Sequence, residues 1–488
     1  MPDLKIDRQR RAARRRAHYS SVLSGTALLL GPLAGTTAVW ADDPIMPYIP
    51  PNPNNDPDYY NITNPQYGGG TSASAATNAA AISAAMNACS NGGGGTVVIP
   101  AGTFQCDPMN LSNLSNVNLQ VDGTLQAEDM ADFNSGPNGY SYYIYWKNAH
   151  SDMLSGTGTI DGNGASWWAS TGTRPKFLNF SNGQVVAVEN VTLQNTPKEG
   201  ITFSGTKTTD ITINGVTITS PSNSPNTDGI DPNGKNFLIE NCDISTGDDN
   251  IAIKSGSTGG NPPNNVIIRD DVFGYGHGLS IGGQTNYGVN GVTVTNCTFI
   301  NTQNGIRLKA GRGNGGVVQN LSFSNITMTN VANAIYITSW YGSGSDVPPW
   351  PPSSAVNKGY NPTGTPLWRN ISISNLTDTD AEYAVWIYGL PEEPVQDVTL
   401  NNVDISGLYG CLLNYAGYNG AYDPNAPPDP NYQLLFQNCN IQSVYDQFIP
   451  PPKGMYDVVM VVPEPATASM ALLGSSVLLL RRRRSNAA

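Results

Sequence analysis

The residues best able to do chemistry lie in one part of the chain. Asp248 and Asp249 are adjacent in STGDDNIAIKSG (245–256), Asp228 precedes them, and His277, Arg307 and Lys309 follow. Two neighbouring aspartates alone are ordinary turn residues. Brought together with a third carboxylate, they repel one another enough to raise at least one pKa, which sets a protonated acid beside an ionised base. Glycosidic cleavage requires that division of labour, because one group protonates the leaving oxygen while another activates water or attacks. His277 is suited to tuning or relaying the proton. Arg307 offers a bidentate fork and Lys309 a point charge, a combination suited to the carboxylate of an acidic sugar.

These side chains can cooperate only if the fold puts them on one face. The pattern apolar-x-Asn-apolar-x-apolar recurs as VENVTL, INGVTI, IENCDI, VTNCTF, FSNITM, ISNLTD, LNNVDI and FQNCNI. Its Asn slot falls at 190, 215 (Gly), 241, 270 (Asp), 296, 325, 375, 402 and 438, with first steps of 25, 26, 29, 26 and 29 residues. A period of that size, with strands and turns in each unit, predicts a solenoid of β coils. Asparagines stacked rung on rung would hydrogen-bond one another at the turns.

A second pattern lies within each unit: EGITFSG (199), DGIDPNG (228), DNIAIKS (249), HGLSIGG (277), NGIRLKA (304), NAIYITS (333) and YAVWIYG (383). Its third and fifth residues point inward, so the fourth and sixth point outward on an exposed parallel sheet. With strands about 4.8 Å apart, Asp228, Asp249 and His277 occupy three successive rungs within roughly 10 Å. Arg307 and Lys309 face the same side, and Tyr336, Trp386 and Tyr388 extend the face. These rings are positioned either to stack on sugars or to pack under loops.

Composition agrees with an all-β chain: Gly and Pro are abundant, charged residues are few, and Val, Ile, Thr and Asn recur in short runs. Residues 1–41 read as an export signal, with a basic stretch, an apolar segment near Val22 to Leu33, and Val39-Trp40-Ala41 as the cleavage site. Residues 42–70 read as a Pro/Asn-rich linker or arm. Thr71 to Ala88 is the one convincing helix, placed to cap a β domain spanning 71–455. Residues 460–488 hold Pro-Glu-Pro (463–465), a largely apolar run and Arg481 to Arg484. That run is short for a membrane span.

Without the seven Lys/Arg of the leader and the four of the tail, 14 basic residues face 35 acidic ones, a net charge of −21. Such a surface excludes nucleic acid and anionic membrane as main partners. No Cys/His spacing suits a metal, and no cofactor is expected. Cys242 and Cys297 share an inward slot two rungs apart, too far to bridge, whereas Cys89 and Cys106 flank a Gly-rich turn and could pair outside the cell.

Four motifs in order, Asn226-Thr227-Asp228, Gly247-Asp248-Asp249, Gly276-His277-Gly278 and Arg307-Leu308-Lys309, resemble those of the polygalacturonases, family 28 of the glycoside hydrolases. GTIDGNGASWW (158–168) and RPKFLNF (174–180) are similar too, and the resemblance covers roughly residues 85 to 440. It implies a right-handed parallel β-helix and hydrolysis of polygalacturonate or pectin with inversion. It implies Asp248 as general acid, Asp228 and Asp249 as the pair that holds and activates water, and His277 as support for the acid. Arg307 and Lys309 would bind the galacturonate carboxylate on the leaving-group side, with Asn226 helping to hold substrate or the cluster. Many relatives carry a tyrosine in the strand after Arg-Ile-Lys, where this chain has Asn333 and, in another column, Tyr336. The tail resembles a PEP-CTERM sorting signal of Gram-negative bacteria, which implies surface display or release with transient membrane contact. A monomer is expected.

Two other readings use the same features. A calcium-dependent pectate lyase would hold Ca²⁺ on the aspartates and use Arg307 in elimination. A non-catalytic surface solenoid would only bind polysaccharide. The long insertion Tyr341 to Trp368 is placed to narrow one end of a cleft.

Overall fold

The computed structural model describes residues 43–133, 141–170, 172–256, 261–342, 358–362, 364–414, 434–445 and 459–461. The expected leader, residues 462–488 of the expected sorting tail, and the middle of the 341–368 insertion lie outside the described residues.

Three strand positions follow one another in each coil, and each pairs in parallel with its counterpart a coil later. On the face that carries the candidate residues, β1 (Ile201–Ser204), β2 (Ile230–Asp231), β3 (Ile251–Ile253), β4 (Leu279–Gly283), β5 (Asn304–Ala310), β6 (Asn333–Thr338) and the end of β7 (Leu367–Tyr388) form one such column. The register links Ile201, Ile230, Ile251, Leu279, Ile306, Ile335 and Val385. All seven are buried in the core. Burying each such side chain stabilises the coil by roughly 1.5–3 kcal/mol, so a slip of one residue would expose the whole column. Parallel crossovers of this kind are right-handed.

The Asn slots sit where the coil bends, between strands or, at Asn325, Asn375 and Asn402, inside a long strand. Every one adopts a left-handed backbone: Asn190, Gly215, Asn241, Asp270, Asn296, Asn325, Asn375, Asn402 and Asn438 all have φ from 52° to 67°. Asn, Gly and Asp are the residues that tolerate this conformation. The amides also stack as expected, with Asn325 Nδ2 donating to Asn296 Oδ1 at 3.0 Å, Asn375 to Asn325 at 2.9 Å and Asn402 to Asn375 at 2.8 Å.

Helix α1 runs Ala75–Asn91, beginning and ending later than the expected 71–88. Ser74 sets the start, its Oγ accepting the Thr77 amide at 3.2 Å, and Gly92 follows the end. Its face of Ile82, Ala85, Met86 and Cys89 closes the core at the first coils. Residues 43–70, expected as a linker or arm, are laid against the coil. Tyr60 and Asn61 pair with Val97 and Val98, Ile62 is fully buried, and Asp43 is bonded by the Arg269 guanidinium at 3.1 and 3.2 Å. Cys89 and Cys106 are both buried and free, so the expected pairing is absent: one points into the core from α1, the other from a strand.

Candidate active site

The column register delivers the predicted charges to one place. Asp228 precedes β2, Asp249 precedes β3, His277 precedes β4, and Arg307 and Lys309 alternate along β5. The turns leading into these strands are tied together. Thr227 Oγ1 accepts the Gly247 amide at 3.0 Å, which joins the Asp228 and Asp248 loops. Buried Asn250 donates to the carbonyls of Ile244 and Tyr275 at 2.8 and 3.1 Å and accepts the Gly278 amide at 2.9 Å. His277 is held between two glycines with φ of 139° and 85°. A Cβ on Gly278 would overlap the Asn304 carbonyl, so this turn admits only glycine there.

Asp249 is the most enclosed carboxylate of the group, 2% exposed. Its Oδ1 accepts from Ser280 Oγ at 2.8 Å and Arg307 Nη1 at 3.1 Å, and its Oδ2 accepts from Lys309 Nζ at 2.7 Å. Burial alone would raise its pKa, but Lys309 and Arg307 outweigh burial and the repulsion of Asp248, and hold it below the ordinary range. Asp248 Oδ1 lies 2.9 Å from His277 Nδ1 and accepts the Asp249 amide at 2.9 Å. Burial again pushes upward, yet the hydrogen bond and charge of His277 hold Asp248 down at about 2.

Asp228 goes the other way. Burial first, then repulsion from Asp231, raises its pKa well above the carboxylate range, with Lys254 opposing and Asp249 and Asp248 adding to the rise. The carboxyl whose pKa moves up is therefore Asp228 rather than Asp248, and burial is the first cause, ahead of repulsion.

Asn226 stands at the rim with its Oδ1 accepting from Arg174 Nη2 at 2.6 Å. Arg307 and Lys309, expected to meet a substrate carboxylate, are turned onto Asp249; Lys309 is only 4% exposed. Arg307 Nε is buried with no hydrogen-bond partner among the described residues. Tyr341, just beyond the end of β6, lies against both cations, its ring centroid 5.7 Å from Arg307 Cζ and 5.1 Å from Lys309 Nζ. The strand slot that resembles the relatives' tyrosine holds Asn333; the ring on the cations comes from the turn after the strand. Tyr336, Trp386 and Tyr388 do not offer rings to the cleft. They are 6%, 3% and 3% exposed and pack with Trp340 and Leu390 into a second apolar cluster.

A groove of about 620 Å³ opens beside His277 and follows the turns toward the later coils, past Tyr275, Thr302, Gln303 and Glu382. Asp248, Asp249 and His277 offer ligand atoms within 4.8 Å of one another. They fit a metal poorly, since both oxygens of Asp249 already face cations and Ca²⁺ wants six to eight oxygens.

Residues 89–412 match the family described as Glycosyl hydrolases family 28. The chain is 34% identical over 283 residues to an endo-polygalacturonase of Pectobacterium carotovorum subsp. carotovorum, covering 51% of this chain and 69% of that one. It is 35% identical over 244 residues to a polygalacturonase of Chamaecyparis obtusa, covering 46% and 45%. The match thus spans about half to two thirds of the length of these relatives. Among solved structures, a polygalacturonase from Erwinia carotovora ssp. carotovora superposes with a TM-score of 0.59 at 27% identity, covering 76% of this chain and 97% of that one. An exopolygalacturonase from Thermotoga maritima gives 0.63 at 23% identity, covering 76% and 90%. The fold is a right-handed parallel β-helix.

Proposed function

Because this chain belongs to family 28 of the glycosyl hydrolases, we propose that it hydrolyses α-1,4-galacturonosidic bonds in polygalacturonate or pectin with inversion. The observation that carries the reading is the split in the carboxylate cluster: Asp249 is kept ionised by two cations, while Asp248 shares a short bond with His277. Asp249 then acts as base toward a water that Asp228 helps to hold.

Asp248 is the general acid in this proposal, working as a pair with His277. In the free protein its low pKa means the proton is not stored on the carboxyl alone. A sugar ring seated over the pair strips water from Asp248, which raises its affinity for a proton, and the 2.9 Å bond to His277 Nδ1 supplies the path. Arg307 and Lys309 meet the substrate carboxylate from the position they hold on Asp249. Asn226 and Tyr341 line the approach. Export by the leader 1–41 and display or release through the tail 460–488, with transient membrane contact, belong to the same proposal, as does action as a monomer. A mature N-terminus near Asp42 would support the export part.

The test is release of reducing ends from polygalacturonate. Wild type should release them, Asp248→Asn should lose the activity, and a chelator should leave it intact. Products with an ultraviolet-absorbing double bond, or loss of activity with chelator, would instead make the chain a lyase. Binding without cleavage would make it an adhesin.

A further inference from the structure

A group outside the resemblance motifs sits directly on the candidate site. Lys254, at the end of β3, places Nζ 2.6 Å from Asp228 Oδ2 and 2.8 Å from Asp231 Oδ2. Both carboxylates are 6% exposed, whereas the Lys254 side chain keeps 31% of its surface. Asp231 Oδ1 is buried with no hydrogen-bond partner among the described residues. One ammonium is therefore divided between two buried carboxylates. One rung on, the ratio is reversed, with two cations on the single carboxylate Asp249.

We propose that Lys254 is a positioning residue for the hydrolytic step: it orients and charges Asp228, and Asp231 limits that hold by competing for the same ammonium. This rests on the hydrolase reading above. The water-holding pair then consists of two carboxylates in opposite settings, Asp249 saturated with positive charge and Asp228 with half of one cation. A Lys254 that served Asp228 alone would leave Asp231 buried and uncompensated. A chain without Asp231 would let the ammonium pull Asp228 fully into an ion pair.

The charged groups facing Asp228 are Asp231, Lys254, Asp249 and Asp248. Behind Asp231 stand Glu199 and Lys176, and Glu199 is in turn 3.4 Å from both Lys176 and Lys198. Removing Lys254 takes the cation bonded to Asp228 from this set, and removing Asp231 takes the anion that repels Asp228 most. The two changes must move the ionisation of Asp228 in opposite directions.

The experiment is the pH dependence of kcat/KM on polygalacturonate for Lys254→Met, Lys254→Arg and Asp231→Asn, with ¹³C carboxyl titration of Asp228 in each folded protein. Lys254→Met should move the acid limb and the Asp228 titration to higher pH by about one unit or more. Lys254→Arg should restore most of the wild-type profile, and Asp231→Asn should move both readouts to lower pH. A purely structural role would change melting temperature without opposite pH shifts. An unmoved acid limb in Lys254→Met, or shifts of the same sign in the two variants, overturns the proposal. Should the wild type release no reducing ends, the hydrolase reading fails, and the Asp228 titration still decides whether Lys254 and Asp231 oppose each other.

Discussion

Two columns of polar residues climb this coil and use their polarity in different ways. At the bends, from Asn296 through Asn325 and Asn375 to Asn402, each side chain bonds a copy of itself on the next rung. On the face of the candidate site, the first position of each repeat holds Glu199, Asp228, Asp249, His277, Asn304 and Asn333 in succession. The turn column is constrained by its own backbone, since a left-handed φ admits few residue types. The strand face carries no such demand, because the inward apolar residues hold register by themselves. Stability and chemistry are thereby assigned to different faces of one repeat, and charges that would be unwelcome elsewhere can be opposed across rungs.

That contrast is open to direct tests. The largest effect should come from Asp248→Asn, which removes the acid while leaving the fold intact. We expect a loss of roughly 10²–10⁴ in kcat, the range of general acid catalysis, with the melting temperature lowered only by the loss of the Asp248–His277 ion pair. Equal loss of stability and activity would mean that this face is structural after all.

Lys309→Ala should hurt both properties. It leaves Asp249 buried with half its charge unmatched, a situation that costs about 3–5 kcal/mol when one partner of a buried pair is removed, and denaturant unfolding measures it. The turn column should behave oppositely: Asn325→Ala imposes a left-handed conformation on alanine and removes a rung of amide bonds, at about 1–2 kcal/mol. Kinetics on polygalacturonate should be those of wild type, and Asn325→Gly should recover part of the stability. A kinetic defect in Asn325→Ala would erase the distinction between the columns.

The smallest effect is in acid. Asp248 has a folded pKa of about 2, below its unfolded value. Its contribution to stability is therefore complete above the unfolded carboxylate range and declines as pH falls toward 2. His277→Ala should flatten the part of the stability profile between about pH 4 and pH 2 that belongs to this pair. An identical profile in the variant would remove His277 as the cause.

Much of this arrangement is legible in the sequence because the repeat is regular. Once Ile230, Ile251, Leu279 and Ile306 are aligned by their inward slots, the outward neighbours follow, and Asp228, Asp249, His277, Arg307 and Lys309 converge. Periodicity specifies which way a side chain points and says nothing of what lies over it. Trp386 and Tyr388 do leave the coil outward, but Trp340 and Leu390 cover them. Tyr341 reaches the cations from a turn, beyond the reach of any strand pattern. Lys254 and Asp231 stood in the outward columns all along; their sharing of one ammonium depends on side-chain length and burial, which spacing alone does not reveal.

The most direct test of the central claim is the stereochemistry of the first product, followed by ¹H NMR of the anomeric proton during early hydrolysis of polygalacturonate. An inverting reaction on α-linkages predicts that the β-anomer of the new reducing end appears first and then mutarotates. An α-anomer appearing first, or a product with an unsaturated ring, would contradict the assignment of Asp228 and Asp249 to water and of Asp248 to the leaving oxygen.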